Sequence, residues 1–324
     1  MWKILSYLQK NLIWTIPAMM IAGLLYGRFL DASPLKGSII PLTFLMVYPM
    51  MVNLQIDKVF SREGQRCQLV TQIINFAIIP FVAFFLGRWF FPGQPMVVLG
   101  LLLAALLPTS GMTITWTGFA GGDINAAIKM TVIGLVAGSI ATPFYAKWLM
   151  GTVIEIPLLD VFKQIILIVF VPMVLGYLTQ KWLIRRYGQE AYQRDLKKKF
   201  PMLSTAGVLG IVFVAMALKS GSILGNPGML LGYLAPLVLL YLINFLLSTV
   251  VGKLYFPRGE AIALVYGTVM RNLSIALAIA MTVFRDKGAE IAIIIAMAYI
   301  VQVQAAAWYV RLTDRLFGKA PETA

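Results

Sequence analysis

Long apolar runs alternate with short polar breaks along the whole 324-residue chain. The pattern predicts about ten membrane-crossing helices, at 12–30, 37–55, 68–91, 95–118, 124–149, 158–180, 202–221, 228–252, 260–284 and 289–313. Runs of that length suit a hydrocarbon core about 30 Å thick, because a helix rises about 1.5 Å per residue. The expected fold is an all-α membrane protein in two repeats of five helices, and repeats with an odd number of spans must be inverted relative to one another. The first repeat is expected within 1–180, a basic cytoplasmic loop at 181–201, and the rest of the second repeat at 202–324, with the sixth span (158–180) belonging structurally to the second repeat. A short echo accompanies the count: Ile74-Asn75-Phe76 in the third span recurs as Ile243-Asn244-Phe245 in the eighth.

Two spans break the apolar pattern, and they hold the same ordinal place in each half. The fourth contains Leu107-Pro108-Thr109-Ser110-Gly111, where proline removes a backbone donor. The ninth contains Tyr266-Gly267-Thr268-Val269-Met270-Arg271-Asn272-Leu273-Ser274. Broken backbone at membrane depth is tolerated only where protein or a wet cavity surrounds it, so paired breaks point to a transporter's central site. A proline kink with small-residue packing is the simpler alternative.

Composition narrows the function classes. Hydrophobic residues make up 60% of the chain and charged residues 12%, and the mean hydropathy is +0.84, values outside the range of soluble domains. Met1 to Lys10 is short and amphipathic and leads directly into a span, unlike a cleaved leader. One cysteine, Cys67, and no histidine leave no material for an internal disulfide, a zinc site or a Ser/His/Asp triad. No GxxxxGK[ST] loop is present either, so neither an enzyme nor a metal or cofactor is expected.

The net charge of +14 follows topology and does not call for a nucleic-acid partner. Basic clusters at Lys3/Lys10, Lys58/Arg62/Arg66, 181–199, Lys253/Arg258 and Arg311/Arg315/Lys319 all fall on one side if both termini face the cytoplasm, the orientation that the positive-inside rule expects. Trp14, Trp89, Trp148, Trp182 and Trp308 sit near span ends as interface anchors.

Lys129 and Arg271 are cations within predicted spans, where charge is expensive and marks a solute path. Arg271 stays protonated and offers a planar fork of donors to a carboxylate or oxyanion. Lys129 is the candidate coupling group, since an ammonium that sheds its proton as an anion leaves gives proton-coupled transport. Thr109, Ser110, Gly111 and Thr113 would supply hydroxyls and backbone donors from the first break, and Thr268, Asn272 and Ser274 from the second. Asn75 and Thr131 are supporting residues, and Asp123 is expected to cap the fifth helix. Gln302 and Gln304 either line the cavity or bond between helices.

Pro108-Thr109-Ser110-Gly111-Met112-Thr113 followed by Gly122-Asp123, together with Asn75-Phe76-Ala77-Ile78-Ile79-Pro80, resembles the bile acid/sodium symporter superfamily. The resemblance spans essentially the whole chain and implies ten helices in two inverted repeats, with unwound fourth and ninth helices crossing in mid-membrane. Tyr48-Pro49-Met50-Met51 and Asn272-Leu273-Ser274-Ile275-Ala276-Leu277-Ala278 are more similar to its arsenite-permease branch. Against that branch, Thr109 stands where a cysteine is usual and Ser274 where a glutamate is usual. Against the sodium symporters, Thr113-Ile114 replaces a Ser-Asn pair, Gly267 and Arg271 replace a glutamate and a glutamine, and Ala127 replaces a serine. The expected function is a secondary active transporter of a small anionic solute, sodium-independent and proton-coupled. The alternatives are an arsenite or antimonite efflux permease, a sodium-coupled organic-anion symporter, and an anion channel.

Overall fold

A computed structural model describes residues 2–55, 64–154 and 158–318. Among the described residues the chain is helical, with no strand. The helices are α1 (Trp2–Lys10), α2 (Leu12–Phe29), α3 (Ser33–Val52), α4 (Gln65–Phe90), α5 (Pro95–Leu106), α6 (Gly111–Phe119), α7 (Ile124–Met150), α8 (Leu158–Tyr187), α9 (Gln189–Leu218), α10 (Ser220–Gly225), α11 (Gly228–Tyr255), α12 (Arg258–Val269), α13 (Leu273–Val283) and α14 (Arg285–Phe317). Seven of them, α3, α4, α7, α8, α9, α11 and α14, are long and apolar enough to cross a bilayer, while α5 and α13 are apolar but shorter. Large apolar side chains stay exposed on these helices, among them Phe29, Trp89, Trp148 and Leu231, as lipid-facing positions require. Five anchor tryptophans, Trp14, Trp89, Trp148, Trp182 and Trp308, are all exposed.

The expected loop at 181–201 is instead helical almost throughout. α8 runs on to Tyr187, Gly188 turns the chain with φ at 84°, and α9 begins at Gln189. The reason is the apolar residues among its charges: Tyr192 is buried and its hydroxyl donates to the Val52 carbonyl and to Asn53 Oδ1, both at 3.1 Å. Gln180 Nε2 donates to the same Val52 carbonyl at 2.8 Å. Two of these bonds satisfy the Val52 carbonyl, left free at the C-terminal end of α3. Lys58, Arg62 and Lys319, part of the predicted basic clusters, lie outside the described residues.

The chain forms two compact units, and they do not follow the sequence halves. The first comprises Met1–Leu54, Val153–Tyr233 and Leu273–Ile300; the second comprises Gln55–Thr152, Leu234–Asn272 and Val301–Ala324. In the first unit, α9 lies against α2 and α3, and Gly207 allows a close approach, since a Cβ there would come within 2.6 Å of the Met46 Cα. Ser204 Oγ donates to the Met46 carbonyl at 2.6 Å. In the second unit, α4, α5, α6 and α12 surround α7, and both helix breaks with their partners fall here.

Candidate functional site

The first break lies between α5 and α6. Pro108 cannot continue the helix and biases its predecessor away from helical backbone, so α5 stops at Leu106. Thr109 then takes a left-handed backbone, φ 63°, which is strained for a β-branched residue. What holds it there is local. Its hydroxyl is directed at the Pro108 and Thr131 carbonyls, at 2.6 and 3.1 Å. Gly134 and Gly138 of α7 make its seat: a Cβ at Gly134 would lie 2.6 Å from Thr109 Oγ1, and one at Gly138 2.8 Å from Pro108 Cδ.

Ser110 and Thr113 form a capping box that starts α6 afresh. Ser110 Oγ accepts from the Met112 N–H at 3.2 Å, and Thr113 Oγ1 accepts from the Ser110 N–H at 3.1 Å. Gly111, the first residue of α6, faces open space, with nothing within 4 Å of where a Cβ would stand. Asp123 caps α7, its Oδ1 accepting from the Asn125 and Ala126 N–H groups at 2.8 and 3.0 Å. Thr131 Oγ1 donates back to the Ala127 carbonyl. Four predicted solute or supporting hydroxyls, those of Thr109, Ser110, Thr113 and Thr131, are thus engaged with backbone.

The second break, between α12 and α13, is held from farther away. Asn75 Nδ2 donates to the Gly267 carbonyl at 3.0 Å, and Asn244 Nδ2 to the Thr268 carbonyl at 2.8 Å. These are among the carbonyls that a helix C-terminus leaves free. The Thr268 and Ser248 hydroxyls are paired at 2.6 Å. Gln302 brackets Arg271 as a neighbouring strand would: its Oε1 accepts from the Arg271 N–H at 2.8 Å and its Nε2 donates to the Arg271 carbonyl at 3.3 Å. Tyr241 orients that amide by donating to Gln302 Oε1 at 2.8 Å.

The two breaks meet through backbone. Pro108 and Arg271 form an isolated antiparallel bridge, and the Asn272 N–H donates to the Leu107 carbonyl at 2.8 Å. Arg271 is 3% exposed, and its Nη1 donates to the Ala105 carbonyl at 3.1 Å. That carbonyl is one of the free acceptors at the C-terminal end of α5, where the helix dipole favours a cation. Arg271 Nη2 is buried with no hydrogen-bond partner among the described residues. Leaving a donor of a buried charged group unmet costs on the order of 1–3 kcal/mol or more.

The second unit therefore brings together Asn75, Thr109, Ser110, Gly111, Thr113, Asp123, Lys129, Thr131, Thr268, Arg271 and Asn272 of the predicted set. Lys129 is 5% exposed, on α7 between Asp123 and Thr131. Ser274 belongs to the first unit, where its hydroxyl pairs with that of Tyr299. Sequence reasoning missed Tyr241 and Ser248 and gave Asn244 no role. Asn244 was visible as the partner of Asn75 in the repeated tripeptide.

Arsenical-resistance protein Acr3 of Alkaliphilus metalliredigens is 24% identical, an alignment covering 99% of this chain and 96% of that protein. Arsenical-resistance protein Acr3 of Corynebacterium glutamicum is 22% identical over 88% of this chain and 83% of its own length. Sodium/bile acid cotransporter 7 of Rattus norvegicus is 23% identical over 55% of this chain and 52% of its own. Residues 40–226 match the Sodium Bile acid symporter family. This chain is a membrane transporter of that family, in the branch of the arsenical-resistance proteins.

Proposed function

We propose that the chain is a secondary active transporter moving a small anionic solute by alternating access, without sodium, and that Arg271 is the group that holds the anion. The observation that carries this reading is the buried, unpartnered Arg271 Nη2 at the meeting of two broken helices. A guanidinium with one arm on a helix carbonyl and the other unmet has the geometry to accept one oxygen of a carboxylate or oxyanion. The same fixed positive charge disfavours a sodium ion beside it.

The topology proposed is ten crossings, namely α2, α3, α4, the α5–α6 pair, α7, α8, α9, α11, the α12–α13 pair and α14, in two inverted repeats of five. Support comes from the composition of the units. Apart from residues 273–300, the first draws on the first two segments of each half and the second on the last three of each half. Both termini are assigned to the cytoplasmic side, supported by the basic clusters, and the membrane is assigned as a plasma (inner) membrane by analogy with the family.

Lys129 is assigned the coupling role. Counterflow in proteoliposomes loaded with phosphate, succinate or arsenite separates a transporter, which exchanges label across the membrane, from a channel, which does not. With an anion that is carried, Lys129→Met is expected to abolish accumulation driven by a pH gradient while retaining counterflow; a variant that still concentrates the anion against that gradient removes Lys129 from coupling.

A second reading is arsenite or antimonite efflux, favoured by similarity over most of the chain to two arsenical-resistance proteins. It would proceed without a thiol at position 109, where the Thr109 hydroxyl faces the Thr131 carbonyl. Lower arsenite accumulation in exporter-deficient cells expressing the chain supports it, and unchanged accumulation with the protein present in the membrane rejects it.

A further inference from the structure

On α4, Gln68, Gln72 and Asn75 recur at helical spacing, so their side chains share one face. Both amide atoms of Gln68, both of Gln72, and Asn75 Oδ1 are buried with no hydrogen-bond partner among the described residues. Native proteins rarely leave so many polar atoms unmet in one place, and such a cluster calls for a partner such as water or a polar solute. Thr71, on the same helix, shows the ordinary solution: its hydroxyl donates to the Cys67 carbonyl one turn back at 2.7 Å. Leu69 and Ile73 are exposed, at 63% and 48%.

The file has two defined ends. At one, Asn75 Nδ2 holds the Gly267 carbonyl of the second break. At the other, about 10 Å along the helix axis, α4 begins beside α12: Cys67 Sγ donates to the Glu260 carbonyl at 3.4 Å, two residues from Arg258. Arg258 in turn binds the Gly121 and Gly318 carbonyls, both at 2.7 Å, and Asp314 at 2.7 Å. The unmet amides therefore run from the Arg258 end of the second unit to the break that carries Arg271.

We propose that Gln68, Gln72 and Asn75 form a hydrated amide track along which water and a small hydroxyl-bearing solute, such as an oxyacid, pass between the Arg258 end and the break. An amide is uncharged and presents a donor and an acceptor together, which matches a hydroxyl group that also donates and accepts. Such a track lets the solute exchange hydrogen bonds stepwise along neutral side chains. The proposal rests on the transporter reading above.

The test is thiol accessibility in the full-length protein carrying Cys67→Ser, which removes the single native thiol and keeps a donor. Gln68→Cys, Gln72→Cys, Leu69→Cys and Ile73→Cys are each treated in membrane vesicles with a cationic methanethiosulfonate. The track predicts that Gln68→Cys and Gln72→Cys react at least ~10-fold faster than the two outward positions, because a lipid-facing thiol meets neither water nor reagent. Equal rates, or faster reaction at Leu69→Cys and Ile73→Cys, overturn it. The Gln68→Met/Gln72→Met double variant is expected to melt at or above the parent temperature, because it removes unmet amides; melting below the parent makes the glutamines structural and also overturns the track. Slow labelling in a protein that still binds anions through Arg271 removes the track alone. Fast labelling in a protein that binds no anion removes the Arg271 reading alone.

Discussion

The two helix breaks satisfy their backbone by different means. Between α5 and α6 the start of α6 and the Pro108 carbonyl are satisfied by residues within a few positions of the break, the Ser110–Thr113 box and the Thr109 hydroxyl, while the Leu107 and Ala105 carbonyls are met by Asn272 and Arg271 of the other break. Between α12 and α13 the backbone is satisfied by side chains from α4, α11 and α14, namely Asn75, Asn244 and Gln302. The first break ends with its hydroxyls engaged. The second ends with a guanidinium arm unmet. A closed, locally capped break behaves as scaffold, whereas one held at a distance and left with an unsatisfied cation is where binding energy for a solute remains to be gained.

Substitutions can break or sharpen that contrast. Gln302→Leu leaves both the N–H and the carbonyl of Arg271 without their partner, and is expected to destabilise the protein by about 2–4 kcal/mol in a reversible unfolding titration. A loss under about 1 kcal/mol would mean that the second break does not depend on its distant amide. Ser110→Ala removes one cap of α6 and is expected to cost only about 1 kcal/mol, because Thr113 and the bridge to Arg271 stay in place. Thr109→Cys is the mildest: the thiol fits the same seat, and stability is expected to change by less than about 1 kcal/mol with no change in which anions stabilise the protein. New arsenite binding by Thr109→Cys would show that position 109 does face the solute, and would erase the distinction between the breaks.

The same contrast explains what the sequence disclosed. Helix positions were legible because lipid exposure imposes long apolar runs, and the observed ends differ from the predicted ones by a few residues in most spans. The first break was legible because its chemistry is contiguous, from Pro108 to Thr113 and on to Asp123. Partners of the second break were not, since Asn244 and Gln302 stand 27 residues before and 31 residues after Arg271 in sequence, and a lone amide in an apolar span has several uses. Gln302 was weighed between lining a cavity and bonding between helices, and the observed bonds to Arg271 are of the second kind. Residues 181–199 were misread because their charge density masks the apolar positions, Tyr192 above all, that keep them helical. The interleaved units were illegible from local pattern, since they depend on which distant helices pack together.

The most direct test of the central claim is the melting temperature of the purified parent and of Arg271→Ala across concentrations of phosphate, succinate and arsenite. A ligand that binds only the folded protein raises its melting temperature with concentration. The account predicts that at least one anion stabilises the parent and that Arg271→Ala, still folded, loses about 100-fold or more in affinity for it. Equal stabilisation of the two proteins by the same anion would contradict it and take Arg271 out of the binding site.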